Sequence, residues 1–129
     1  YDPSLELVVC GSSNPWMPTY VEWERQVLEQ CYDKVDYVSL HLYVSRVGRE
    51  LPEYLASRCI LEGQVRDVVA ACDFVKAKGR HHAKTMMLSF DEWNIWDLER
   101  GPIHPPGFQR WQVAQPQVEQ IYDWADTLV

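Results

Sequence analysis

Lys84-Thr85-Met86-Met87-Leu88-Ser89-Phe90-Asp91-Glu92-Trp93-Asn94-Ile95-Trp96 changes character in its middle. Met86, Met87 and Leu88 form an unbroken apolar run, which suits a strand covered on both faces, as in a parallel sheet. The chain then turns polar at Asp91-Glu92 and continues with Trp93, Asn94 and Trp96. In parallel α/β folds, the groups that carry chemistry sit where strands emerge at their C-terminal ends. A strand over Thr85–Phe90 that delivers an acid among indoles is a suitable place to bind and cleave a sugar, because indoles offer flat apolar faces with a polar edge. Glu92 is therefore the first candidate.

The residues that lead into this strand are helical. After Pro52 an apolar stripe of Leu61, Val65, Val68, Val69, Cys72 and Val75 recurs at helical spacing to about Lys78, with a break expected near Gly63. Lys76 and Lys78 occupy the last turn, and Gly79 is placed for a left-handed cap. Val44–Leu51 reads as a polar loop. Before it, Val35-Asp36-Tyr37-Val38-Ser39-Leu40-His41-Leu42-Tyr43 reads as a second strand, with Val38 and Leu40 on one alternation and His41 and Tyr43 at the exit. Thr19 with Glu22 forms a capping-box signature and opens a helix over Thr19–Tyr32. Leu5–Cys10 is a first buried strand, closed by Gly11-Ser12-Ser13-Asn14-Pro15. Downstream, Asp97–Pro116 is a loop with four prolines, and a last helix starts near Gln117.

Strands alternating with helices imply parallel strands joined by right-handed crossovers. Three strands make a thin sheet whose edges need cover, and the last helix pattern still runs at Val129. A segment of a larger α/β structure is the expectation. The 129 residues have room for one small domain, and 47% hydrophobic residues supply a core. A formal net charge of −7 argues against a nucleic-acid partner, which needs clustered Lys and Arg. No leader peptide and no apolar run of membrane-spanning length is visible, so no membrane partner is expected. Cys10, Cys31, Cys59 and Cys72 lack CxxC spacing and read as buried free thiols rather than a disulfide or zinc framework. Unpaired cysteines favour a cytoplasmic setting.

A carboxylate at a strand exit can act as nucleophile, general acid or base, or metal ligand. The plainer alternative is that Asp91-Glu92 caps a loop or pairs with an arginine. The flanking Trp93, Asn94 and Trp96 favour a site, since they add stacking surfaces and an amide for hydroxyl groups. His41 and Tyr43 share one side of their strand and, from an adjacent strand, would reach the same pocket. Taken alone, His41 reads equally as a hydrogen-bonded core histidine. No HxH, HExxH or CxxC spacing supports a metal, and no cofactor is called for. His81 and His82 read as solvent-facing, and His104 lies in the proline-rich loop. Gly11-Ser12-Ser13 is neither GxSxG nor a phosphate loop.

Taken together, LELVVCGSS, VDYVSLHLY, SFDEWNIW, WQVAQP and EQIYDWADTL resemble the α-L-arabinofuranosidases of glycoside hydrolase family fifty-one, in register over nearly the whole chain. Phe90-Asp91-Glu92-Trp93-Asn94 is the most specific motif, and Val44–Pro52 matches least. The resemblance implies a partial (β/α)8 TIM barrel spanning residues 1–129, about strands five to seven, with strands one to four, strand eight and a C-terminal β-sandwich outside the chain. It implies that Glu92 is the nucleophile of a retaining reaction, that His41 and Tyr43 contact substrate, and that Trp96 lines the arabinose subsite; Asn94 stays a substrate-binding candidate on its amide alone. Glu92 must be ionised to attack, and His41 and Tyr43 are expected to hold it by hydrogen bonds.

The partner that the resemblance implies is an arabinose-containing oligosaccharide or polysaccharide, and it leaves room for a homo-oligomeric parent. The family's acid/base is a glutamate after an asparagine at the end of strand four. No Asn-Glu pair occurs in this chain, so the segment alone is expected to be inert. Val44, Asp97 and Gln115 depart from the family pattern at the rim and in the later motif. Two alternatives stay open: another retaining barrel glycosidase acting on xylosides or glucans, and a non-catalytic carbohydrate-binding domain.

Overall fold

In the computed structural model, which describes residues 2, 4–96 and 123–129, the chain forms three parallel strands with helices between them. The strands are β1 (Val8–Val9), β2 (Tyr37–Val44) and β3 (Met87–Ile95), in the spatial order β1-β2-β3. Helix α1 (Glu22–Cys31) links β1 to β2. A short α2 (Leu51–Leu55) and the long α3 (Arg58–Gly79) link β2 to β3. A single 3-10 turn, Asp126–Leu128, follows, tied back by the Tyr54 hydroxyl, which donates to Asp126 Oδ1 at 2.6 Å. This is a small parallel α/β sheet, as the alternation of elements predicts.

Helices cover one face of the sheet. Val38 and Leu40 of β2 are buried against Leu28 and Tyr32 from the first crossover and Val68, Cys72 and Val75 of α3. Leu42 and Val44 continue the same alternation into a second cluster with Tyr54 and Ile95. Burying a side chain such as Leu40 contributes about 1.5–3 kcal/mol relative to leaving it in water. Burial also pushes the Cys72 thiol up to about 12, so it packs as an inert small hydrophobe. The opposite face carries Tyr37, Ser39, His41 and Tyr43 of β2 and is open.

Several elements differ from their sequence expectation. The first strand pairs only over Val8–Val9, and Leu5, Leu7 and Val8 are exposed rather than buried. Helix α1 starts at Glu22, after Val21, and no side chain caps it. Val21 adopts φ 67°, a left-handed value that β-branched residues rarely take, so the chain enters the helix through this kink rather than through a Thr19 box. The break in the long helical pattern falls at Ala56–Ser57, not at Gly63, and Arg80 (φ 58°), not Gly79, takes the left-handed cap. Val69 is exposed, whereas Gln64 is buried on the helix stripe.

All four cysteines are free, but Cys10 and Cys59 are exposed rather than buried. His81 is not solvent-facing: its ring stacks on Tyr32 at 4.8 Å and its Nδ1 lies 2.7 Å from Asp33 Oδ1. The proline-rich loop with His104 and the start of the helix near Gln117 lie outside the described residues.

Candidate active site

The third strand does not end before the carboxylates. It runs through them to Ile95, and its ladder with β2 slips by one residue on the way. Tyr37 to Leu40 pair with Met87 to Phe90 in step, but His41 then pairs with Glu92, so Asp91 is an extra residue between two ladder rungs. Such a bulge re-aims side chains, because the period-two alternation restarts one residue later. Before the bulge, Met86, Leu88 and Phe90 pack on the helix side. Under unbroken alternation Glu92 would join them. After the bulge, Ile95 takes the helix side with Leu42 and Val44, and Glu92 stands opposite His41.

The bulge gathers the polar groups around one imidazole. His41 Nε2 lies 3.0 Å from Asp91 Oδ1, and its Nδ1 lies 3.4 Å from Glu92 Oε2. The Glu92 side chain is 54% exposed against 22% for His41, so the carboxylate is accessible while the ring that touches it is partly sheltered. A neutral imidazole has one N–H and one lone pair, and an imidazolium has two donors. Only the doubly protonated ring can therefore donate to both carboxylates.

Three hydrogen bonds made from outside the paired strands support this arrangement. Gln64 of α3, 1% exposed, donates its Nε2 amide to the His41 carbonyl at 3.0 Å. Gly11, at the end of β1, lies so close to β2 that a Cβ there would fall 2.0 Å from the Ser39 carbonyl oxygen. Its N–H donates to Ser39 Oγ at 3.1 Å. The next residue, Ser12, donates its N–H at 2.6 Å to the fully buried Glu24 carboxylate of α1. These contacts hold the strand ends in place.

Of the candidates read from sequence, His41 and Glu92 meet directly. Tyr43 and Trp96 form a tilted aromatic pair with ring centroids 4.9 Å apart. Tyr43 stands opposite Asn94 in the ladder, and the Asn94 Oδ1 accepts the Ile95 N–H at 2.9 Å. Among the described residues, Tyr43 makes no hydrogen bond to Glu92; it lines the site as an aromatic wall with Trp96. Trp93 departs from the expectation of an indole beside Glu92, because the restarted alternation places it across the strand, edge-on to Phe90 at 6.1 Å. A cavity of about 210 Å³ lined by Leu42, Val44, Leu61, Trp93 and Ile95 also lies on that covered side, behind the carboxylates.

Sequence reasoning missed Asp91, Gln64 and Glu24 as parts of this arrangement. Gln64 had a signal, since it falls between Leu61 and Val68 on an otherwise apolar stripe. Asp91 was legible as half of the Asp91-Glu92 pair, but its place in a bulge was not, because a bulge in a parallel ladder has no composition mark. Among the described residues, no group of three or more His, Cys, Asp or Glu side chains could hold a metal ion, and no helix is long and apolar enough to cross a membrane.

No family model matches the chain. It is similar over 99% of its length to proteins named arabinofuranosidases at 41–46% identity. The intracellular exo-α-(1→5)-L-arabinofuranosidase 1 of Bacillus subtilis is 46% identical over 131 residues. The exo-α-(1→6)-L-arabinofuranosidase of Bifidobacterium longum is 41% identical over 136 residues. The chain spans about a quarter of the length of these curated relatives. A solved family 51 α-L-arabinofuranosidase from Bifidobacterium longum superimposes with a TM-score of 0.67 at 38% identity, over 71% of this chain and 19% of that one.

Proposed function

We propose that the chain is a segment of the catalytic barrel of a family 51 α-L-arabinofuranosidase and that Glu92 is its nucleophile. The observation that carries this reading is the bulge at Asp91, which turns Glu92 onto the open face beside His41 and two ladder pairs away from Tyr43 of the Tyr43–Trp96 wall. The similarity to arabinofuranosidases along the whole chain supports it. The three parallel strands correspond in this reading to strands five to seven of the barrel, whose lumen is the open face. Parallel sheets are ordinarily covered on both sides, and exposed Val8, Met87 and Trp96 make that face apolar enough to want a cover. The relatives named intracellular lead us to place the parent in the cytoplasm.

The reaction follows from the groups. The ionised Glu92 carboxylate attacks the anomeric carbon of a terminal α-L-arabinofuranosyl group while the bond to the leaving oxygen breaks. That oxygen takes its proton from a second carboxyl group, which retaining glycosidases hold roughly 5–5.5 Å from the nucleophile. Water then cleaves the glycosyl ester, giving its proton back to the second group and releasing arabinose with its configuration retained. His41 braces the nucleophile, and Tyr43, Trp96 and Asn94 contact the sugar. The second carboxyl group is not supplied by these 129 residues, so the isolated segment is inert in this reading. Arabinan, arabinoxylan and arabino-oligosaccharides are the substrate class.

The test uses the intact parent protein and an aryl α-L-arabinofuranoside. Glu92→Ala is expected to lower turnover by about 10⁴-fold or more, the scale of losing a covalent nucleophile. Added azide is expected to restore turnover and yield a glycosyl azide of inverted configuration. Near-normal activity in Glu92→Ala would remove Glu92 from the nucleophile role. A wild type that cleaves no glycoside points instead to a carbohydrate-binding domain.

A further inference from the structure

We infer that Asp91, the bulge residue, is a positioning residue for the nucleophile, acting through His41; the inference rests on the functional reading above. A histidine ring turns broadly about its terminal torsion, and a ring that must face a carboxylate needs a second contact to fix it. Asp91 supplies that contact. Its Oδ1 lies 3.0 Å from His41 Nε2, the ring atom remote from Glu92, while Nδ1 faces Glu92 Oε2 at 3.4 Å. The shorter of the two contacts is therefore on the side away from the chemistry.

Asp91 is itself tethered. Ser89, on the same face one alternation earlier, donates its hydroxyl to Asp91 Oδ2 at 3.5 Å. The backbone of His41 is held independently by Gln64. Ser89, Asp91, His41 and Glu92 thus form a chain of contacts that ends at the proposed nucleophile. As the extra residue of a bulge, Asp91 lies beside Glu92 opposite a single partner residue, so both carboxylates reach one imidazole. In regular alternation, two adjacent residues would point to opposite faces.

Two variants of the intact parent separate this role from a merely structural one. Asp91→Asn keeps an oxygen that accepts from His41 Nε2–H, whereas Asp91→Ala removes it. Asp91→Ala is expected to lower kcat roughly tenfold, the scale of a modest misplacement of a reacting group. KM is expected to stay within about twofold and the melting midpoint to stay at the wild-type value. Asp91→Asn is expected to recover most of the lost kcat. An active wild type whose Asp91→Ala variant keeps kcat within about twofold overturns the inference and leaves the functional reading intact. Equal losses in Asn and Ala also overturn it, since the acceptor oxygen would then be irrelevant. A wild type inactive on every α-L-arabinofuranoside overturns the functional reading and the inference with it.

Discussion

On the helix-covered face of the sheet, Val38, Leu40, Leu42 and Val44 are buried one after another beneath α3, and each is apolar. On the open face the same strand presents Tyr37, Ser39, His41 and Tyr43, and its neighbour adds Asp91, Glu92, Asn94 and the ring of Trp96. Both faces are written in one period-two pattern, yet that pattern places the second set correctly only because β3 carries one extra residue. The covered face is a packing problem that regular alternation solves. The open face is a chemical arrangement, and it depends on the interruption.

Substitutions on the two faces should therefore fail differently. The largest expected effect on stability falls on the covered face. Leu40 has no exposed surface, and Leu40→Ala should cost the intact protein roughly 2–5 kcal/mol of stability. Its kcat per folded molecule should stay near wild type, in contrast to Glu92→Ala, which should remove activity without moving the melting midpoint. Denaturation curves and active-site titration of the two variants check this, and a Leu40→Ala protein that keeps its stability but loses kcat would erase the distinction between the faces.

A smaller effect is expected at the edge where the two faces meet β1. Asp36 Oδ2 accepts the Leu7 N–H at 2.8 Å, and Lys84 Nζ lies 3.4 Å from Oδ1. The Leu7 amide, with a lesser contribution from Lys84, holds the Asp36 carboxyl below its ordinary value of 3.8. A carboxyl depressed in the folded state adds stability that is fully present above the unfolded value and is lost as pH falls through the folded one. Asp36→Asn should accordingly be less stable than wild type at neutral pH, and the two should converge as pH drops below about 4. A difference that persists unchanged into acid would assign the contribution to the backbone rather than to the carboxylate.

These contrasts also explain what was legible in the sequence. Strand β2, the apolar stripe of α3 and the parallel order follow from periodicity, because burial on one face leaves a repeating mark. Glu92, His41, Tyr43, Asn94 and Trp96 were singled out as residue types beside strand ends and through the family resemblance, and the structure brings His41 to Glu92 and Tyr43 to Trp96. What did not follow was local geometry. Thr19 and Glu22 spell a capping box, but the chain enters α1 through Val21 at a positive φ instead. The third strand was expected to stop at Phe90, since charge pairs ordinarily end strands; a ladder partner in β2 carries it on to Ile95. Trp93 looked like a neighbour of Glu92 and lies across the strand from it. Gln64 and Glu24 are polar letters in apolar company, and their roles depend on a carbonyl and an amide that other elements bring to them.

In the proposed reaction the bulge makes Glu92, and not the adjacent Asp91, the group that attacks the sugar. The most direct test is to inactivate the intact protein with a mechanism-based arabinofuranosyl reagent that leaves a stable glycosyl ester, and to locate the ester by peptide mass spectrometry. One label per active site, on Glu92, is the expected result. A label on Asp91, or on any carboxylate outside the Lys84–Trp96 stretch, would contradict it.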